Sequence, residues 1–271
     1  MLGALPDPKS KIDMPLLEVE NLSVSYHTAS GPVRAVRDVS LQLGVSESLA
    51  LVGETGSGKS TVALALMGLL EGNARIETGR VRFESALLAP TDRRSWGQLR
   101  GRKIGMVFQD ARGALNPVLT IGSQLTEALR AGRRLRKKGA QEVGVALLIE
   151  VGIPDPKFYM RRYPIELSGG MCQRVAIAIA VGNQPSLLIA DEPTSALDPS
   201  IQAQILELLR TMKQRYGLAL LLISHDLALV SEVSEQVAVM YHGRLVECGK
   251  VSDVFRRPAH PYTSSLLACQ A

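Results

Sequence analysis

Apolar and polar residues alternate along residues 16–26 (LLEVENLSVSY), the period-two pattern of a strand with one buried face. Residues 34–43 (RAVRDVSLQL) repeat the pattern after a turn at Gly31 and Pro32. Residues 48–52 (SLALV) form a short apolar run, and the three segments together predict an antiparallel β region at the start of the chain. Residues 62–70 have helix-forming composition, residues 81–85 suggest a further strand, and residues 103–109 (KIGMVFQ) read as a buried one. The pattern changes at about Asp110. Residues 110–166 read as loop and helix, with helical apolar spacing through 121–129 and 142–151 and Gly/Pro breaks at 152–156 and at Pro164. A βα alternation then returns, with a helix at 171–181, a strand at 186–190, a helix at 201–214 and a strand at 218–224. Residues 187–190 and 218–223 are continuously apolar, as parallel strands covered on both faces must be. The expected architecture is one α/β core carrying a helical insertion.

Composition adds limits. With 271 residues the chain can bury one substantial core or a core with a small satellite. No apolar run approaches the roughly 18 residues of a membrane span. The opening residues MLGALPDPKSKIDMP lack a signal-peptide core, so a cytoplasmic chain is expected, reaching a membrane only through partners. The net charge of +5 is densest at residues 130–138 (RAGRRLRKK), which hold no aromatics and read as a solvated helix end or loop rather than a nucleic-acid contact. Cys172, Cys248 and Cys269 are widely spaced and suggest neither a zinc site nor a disulfide framework.

Candidate chemistry begins at residues 53–61 (GETGSGKST), which match G-x-x-x-x-G-K-[ST] between a predicted strand and a predicted helix. Gly53, Gly56 and Gly58 let the backbone turn its N–H groups toward phosphate oxygens, with Glu54, Thr55, Ser57 and Thr61 completing the loop. Lys59 is expected to reach the β- and γ-phosphates of a bound nucleotide, and Ser60 to offer its hydroxyl to Mg2+. Residues 187–194 (LLIADEPT) end an apolar strand in two adjacent carboxylates. Asp191 is the candidate metal carboxylate, and Glu192 the candidate base for an attacking water. Residues 167–171 (LSGGM) place Ser168 as a helix cap, with Gly169 and Gly170 leaving room for a phosphate at the helix N-terminus.

GETGSGKST, LSGGM followed by Gln173 and Arg174, LLIADEP, SALD (residues 195–198) and SHD (residues 224–226) occur in this order. The chain therefore resembles an ABC transporter ATPase subunit from about Leu16 onward. The resemblance implies a phosphate-loop NTPase (RecA-like) core at about 16–109 and 167–255, preceded by an antiparallel β region. It also implies a helical subdomain at about 110–166 and a tail at 256–271, all within one domain. It places Tyr26 where such proteins stack an aromatic on adenine, a core-strand tyrosine being the plain alternative. It gives Gln109 contact with Mg2+ and the attacking water, and His225 contact with the γ-phosphate. Asp198 falls in the loop that crosses between subunits. Cys172 stands where many relatives have a basic or polar residue, and a weakened helix-surface contact is expected there.

In this family ATP lies between the phosphate loop of one subunit and the LSGG segment of another, so the resemblance implies a second ATPase subunit, identical or different. It further implies two transmembrane permease subunits, an indirect extracytoplasmic solute-binding protein, a peripheral position on the cytoplasmic face of the inner membrane, and no nucleic-acid partner. Residues 256–268 (RRPAHPYTSSLLA), with MVFQD, LNP and LSGGM, are similar to the ATPases of peptide, nickel and metallophore importers. The expectation is an import motor for dipeptides or oligopeptides, with nickel or metal-chelate import as the alternative. A non-transport ATPase of the same superfamily is a distant third.

Overall fold

A computed structural model describes residues 14–89, 92–195 and 197–269, without the side chain of Arg93. Most of the opening stretch read for a signal peptide lies outside the described residues, as do Ala196 of the SALD segment and the last two residues of the tail.

The chain opens with a long hairpin, β1 (Leu17–Thr28) and β2 (Gly31–Leu43), closed by Gly31 at φ 114°. Next come β3 (Ser48–Val52), α1 (Lys59–Leu66), β4 (Ala74–Phe83), β5 (Ala86–Leu88), α2 (Arg93–Leu99) and β6 (Ile104–Val107). Four helices follow, α3 (Ala111–Ala114), α4 (Ile121–Gly132), α5 (Lys137–Glu150) and α6 (Pro156–Tyr159). After a 3-10 turn at Pro164–Glu166 the chain runs through α7 (Gly169–Val181), β7 (Leu187–Asp191), α8 (Pro199–Tyr216), β8 (Ala219–Ser224) and α9 (Leu227–Val233). It ends with β9 (Gln236–Tyr241), β10 (Arg244–Lys250), α10 (Val251–Arg256) and α11 (Pro261–Ala268).

Two sheets organise these elements. The smaller is antiparallel, in the order β2-β1-β4-β5. The larger has the order β10-β9-β3-β8-β7-β6, parallel from β9 to β6 with β10 antiparallel at one edge. The expected grouping of residues 48–52 with the opening hairpin is therefore corrected: β3 lies between β8 and β9 inside the parallel sheet. The reason is visible in the burial of its residues. All five are buried, whereas β1 alternates buried and partly exposed positions through much of its length.

Burial on both faces divides the core in two. In β3, Ala50 and Val52 face a cluster that includes α4, α5, α7 and α8, while Leu49 and Leu51 face the antiparallel sheet and α1. The same alternation sends Leu188 and Ala190 of β7 one way and Leu187 and Ile189 the other. A strand covered on both sides has no polar face, which is why these segments read as unbroken apolar runs.

Other boundaries shift for local reasons. The strand expected at 81–85 ends at Phe83, because Glu84 and Ser85 take left-handed φ values of 47° and 68° and turn the chain into β5. The helix expected at 62–70 runs from Lys59 to Leu66, and Gly68 at φ 59° follows it. The strand expected at 103–109 covers Ile104–Val107, which leaves Gln109 beyond its end. The basic run at 130–138 crosses from the last turn of α4 into the first turn of α5, with Arg130, Arg134, Arg136, Lys137 and Lys138 exposed, in keeping with its solvated reading.

Leu221 is fully buried in the middle of β8, facing α1 and the antiparallel sheet. Leu221→Ala is expected to lower unfolding free energy by about 2–5 kcal/mol, measured by denaturant titration. A loss well below 1 kcal/mol would contradict a close-packed interface there.

Candidate functional site

The loop between β3 and α1 is built against the backbone of two other strands. A Cβ at Gly53 would stand 2.1 Å from the Met240 carbonyl oxygen, and one at Gly58 would stand 2.3 Å from that of Ala35. Both glycines also have positive φ, 148° and 105°. No side chain fits at either position, so the glycine spacing of the motif is a packing requirement as well as a conformational one. The back of the loop is fastened by hydrogen bonds from Gly243 N–H to Ser57 O (3.0 Å) and from Glu54 N–H to the Tyr262 hydroxyl (3.0 Å). α1 then begins at Lys59 without a side-chain cap, behind a glycine N-cap.

Lys59 is buried at 4 % exposure and donates to the carbonyls of Gly53 (2.7 Å) and Glu54 (2.8 Å). Burial pulls its ammonium below the ordinary lysine range, against the opposing carboxylates of Glu192, Asp191 and Glu54. Ser60 donates its hydroxyl to Asp191 Oδ1 at 3.1 Å. Two segments 131 positions apart thus meet at a pair of hard oxygen donors.

The parallel sheet brings the rest. Gln109 follows β6, Asp191 and Glu192 end and follow β7, and His225 follows β8, so three adjacent strands deliver their side chains at their carboxyl ends. Glu192 Oε2 accepts from Gln109 Nε2 at 3.2 Å and lies 3.4 Å from His225 Nδ1. Glu192 itself has φ 44°, a conformation that costs a non-glycine residue about 1–3 kcal/mol. Its N–H bonds to the Ile223 carbonyl on β8 at 2.9 Å, which holds the turn in place. Thr55, Gly56, Lys59, Ser60, Gln109 and Glu192 line one cleft of about 300 Å³, together with Ala35, Gly58 and Thr61.

Other expected residues lie elsewhere. Tyr26 is half-buried on β1, with its hydroxyl 3.3 Å from Thr61 Oγ1, and it is not among the residues lining the cleft. Ser168 caps α7, accepting from Met171 N–H at 3.3 Å, and Gly169 and Gly170 form the first turn. Gly170 packs so tightly that a Cβ would stand 2.9 Å from Ile201 Cγ2. Asp198 caps α8, and hydrogen bonds from the Ser200 hydroxyl and the Ile201 N–H hold its carboxyl below the usual range. None of Ser168, Gly169, Gly170 and Asp198 lines the cleft of its own chain. Cys172 is fully buried in α7 with its thiol directed at the Pro164 carbonyl, so the expected helix-surface contact is corrected to an interior one.

The contacts of Tyr262, Met240, Ala35 and Gly243 with the loop were not legible in the sequence. Tyr262 lies 208 positions from Glu54, and its tail segment carried only a family resemblance. A larger cavity, about 960 Å³, lies among α4, α5, α6 and the two residues that follow α6, and its lining contains none of the motif residues.

A phosphate-loop nucleotide site at the carboxyl ends of a parallel sheet defines the class: a phosphate-loop nucleoside triphosphatase. The family described as ABC transporter matches residues 36–195. The dipeptide transport ATP-binding protein DppD of Haemophilus influenzae is 46% identical over 94% of this chain and 77% of its own length. The oligopeptide transport ATP-binding protein OppD of Bacillus subtilis is 45% identical over 93% of this chain and 71% of its own. A dimeric ATP-binding cassette solved in a post-hydrolysis state with ADP and Pi superposes with TM-score 0.78 at 26% identity, covering 87% of this chain and 98% of that one. CbiO1 of Clostridium perfringens, part of the cbiONQ transporter complex, superposes with TM-score 0.74 at 26% identity, covering 90% and 91% of the two chains. The chain belongs to the ABC transporter family and is an ATPase whose hydrolysis is coupled to transport.

Burial lifts the Asp191 carboxyl above the ordinary aspartate range; the Ser60 hydroxyl opposes this and the Glu192 charge adds to it. The folded pKa then exceeds the unfolded one, so ionised Asp191 costs stability at neutral pH, and the cost shrinks as pH falls from the raised value toward the ordinary aspartate range, below which it is gone. Asp191→Asn is expected to raise the thermal midpoint of the nucleotide-free chain at neutral pH, with the gap to the unsubstituted protein closing on acidification. A pH-independent gap would show that desolvation of the charge is not its source.

Proposed function

We propose that this chain is the ATP-hydrolysing motor of an importer for dipeptides or oligopeptides, peripheral on the cytoplasmic face of the inner membrane. The meeting of Gln109, Glu192 and His225 beside Lys59, Ser60 and Asp191 carries the catalytic reading. The printed names of its relatives support the cargo class. Among the described residues no helix is long and apolar enough to cross a membrane, and in this reading the membrane partners are two permease subunits served by an extracytoplasmic binding protein. Nucleic acid has no part in it.

In this reading the loop N–H groups and Lys59 hold the β- and γ-phosphates, and Tyr26 stacks against adenine. The hydroxyl of Ser60, the carboxylate of Asp191 and the side-chain oxygen of Gln109 are hard donors suited to Mg2+, an ion usually held by one or two carboxylates together with substrate phosphates. When bound, Mg2+ would neutralise charge on the transferring phosphoryl group. Glu192 takes the proton of the attacking water, while Gln109 and His225 fix the position of its carboxylate. Ser168, Gly169, Gly170 and Asp198, which do not line the cleft of their own chain, serve the nucleotide of a second ATPase subunit, identical or different. The dimeric state of the ADP-bound neighbour supports that assembly.

Glu192→Gln is expected to retain ATP binding and to lower the hydrolysis rate by about 10²–10⁴-fold. Undiminished turnover in the assembled transporter would remove Glu192 as the base. Lys59→Ala is expected to weaken ATP binding in an equilibrium titration, and unchanged affinity would count against the phosphate-loop assignment. Uptake by cells deleted for this chain, compared for peptides and for nickel, tests the cargo; loss of nickel uptake alone would overturn the peptide reading.

A further inference from the structure

The tail helix α11 touches the phosphate loop through one side chain. Its start is anchored on β10, where the two carboxylate oxygens of Glu247 accept the N–H groups of Ala259 (2.8 Å) and His260 (3.0 Å). His260 Nδ1 in turn accepts the Tyr262 N–H at 3.1 Å. The Tyr262 ring lies against Tyr241, the last residue of β9, with centroids 4.1 Å apart and planes inclined by 30°. This leaves the Tyr262 hydroxyl facing the loop, where it accepts the Glu54 N–H at 3.0 Å.

That N–H belongs to the same peptide unit as the Gly53 carbonyl, and the Gly53 carbonyl accepts the Lys59 ammonium at 2.7 Å. A peptide unit is planar, so its N–H and C=O cannot be turned independently. Tyr262 holds one end of the plane and Lys59 the other. The Gly53 end of the plane also sits against the Met240 backbone of β9. Losing the hydroxyl frees the plane to rotate about its long axis, and the carbonyl that sets the Lys59 ammonium rotates with it.

We propose that Tyr262 is a positioning residue for the nucleotide: its hydroxyl fixes the Gly53–Glu54 peptide plane, and through that plane the placement of Lys59 and the grip of the loop on ATP. The inference rests on the ATPase reading above and adds to it a contribution from the tail. Docking of α11 and affinity for ATP are then linked, so that displacing the tail weakens nucleotide binding, and bound nucleotide favours the docked tail.

Tyr262→Phe tests this, because it keeps the ring on Tyr241 and removes only the hydroxyl. The full chain is titrated with ATP and Mg2+, and amide hydrogen exchange is followed in the same samples. The expected result is a rise in Kd for ATP of about two- to tenfold, the loss typical of one hydrogen bond. Exchange should speed up over residues 53–58 but not over α11 or β3, with no change in thermal midpoint. In the assembled transporter, KM for ATP should rise with kcat little altered. Wild-type Kd and wild-type loop exchange in the Phe variant would overturn the proposal. So would a weaker Kd that comes only with faster exchange throughout α11 and a lower midpoint, since the tail would then act by bulk docking alone. Failure of the unsubstituted chain to bind ATP would instead sink the ATPase reading.

Discussion

The close approach of the loop at residues 53–58 to the backbones of β2 and β9 is the constraint on which the rest of the site depends. Contacts of 2.1 and 2.3 Å between a notional Cβ and a carbonyl oxygen leave no freedom to substitute Gly53 or Gly58 without moving a strand. The loop is thus held from behind by an antiparallel hairpin and by the end of the parallel sheet. Its open side faces the cleft, where Lys59, Ser60, Gln109 and Glu192 gather. A phosphate-binding loop must present its N–H groups in a preset geometry, and rigid packing of its rear surface supplies that without using the face that meets the ligand.

The parallel sheet does the second part of the work. β6, β7 and β8 are adjacent and in register, so the residues that follow them emerge side by side. Glu192 occupies a left-handed conformation that its surroundings must impose, and its N–H bond to Ile223 on β8 does so. Strain at this residue is coupled to orientation: the turn aims its carboxylate at Gln109 on one side and His225 on the other. Each of those partners comes from a different strand end, so a change at either neighbouring strand would reach the carboxylate directly.

Much of the fold was legible because burial leaves a periodic trace. Alternation along β1 and β2 and unbroken apolar runs at β7 and β8 each carried their own pattern. Residues 48–52 adjoin the hairpin in sequence, but their continuous apolarity is the mark of a strand buried on both faces, and it places them in the parallel sheet. β9 has nearly the same character over QVAVMY, with its four central residues buried, and no motif marks it in the sequence. Among the site residues, Lys59, Ser60, Asp191 and Glu192 announced themselves through residue type and spacing, and Gln109 and His225 through the family resemblance. Met240, Ala35 and Tyr262 did not, since a backbone carbonyl or a single tyrosine has no signature of its own.

The sequence by itself determined which chemistry this chain can perform, because phosphate-binding glycines, a lysine and paired carboxylates at strand ends have few other uses in that order. Through the family it resembles, it also implied that one chain holds parts of two sites, because Ser168 and Asp198 fall in motifs expected to complete another subunit's nucleotide. Only the tertiary structure decided how the pieces are held. Which strands flank β3, which carbonyls close behind the glycines, and the bond from the tail to Glu54 all depend on residues up to 208 positions apart. Periodicity reports which side of an element is buried, and it says nothing about the partner that buries it.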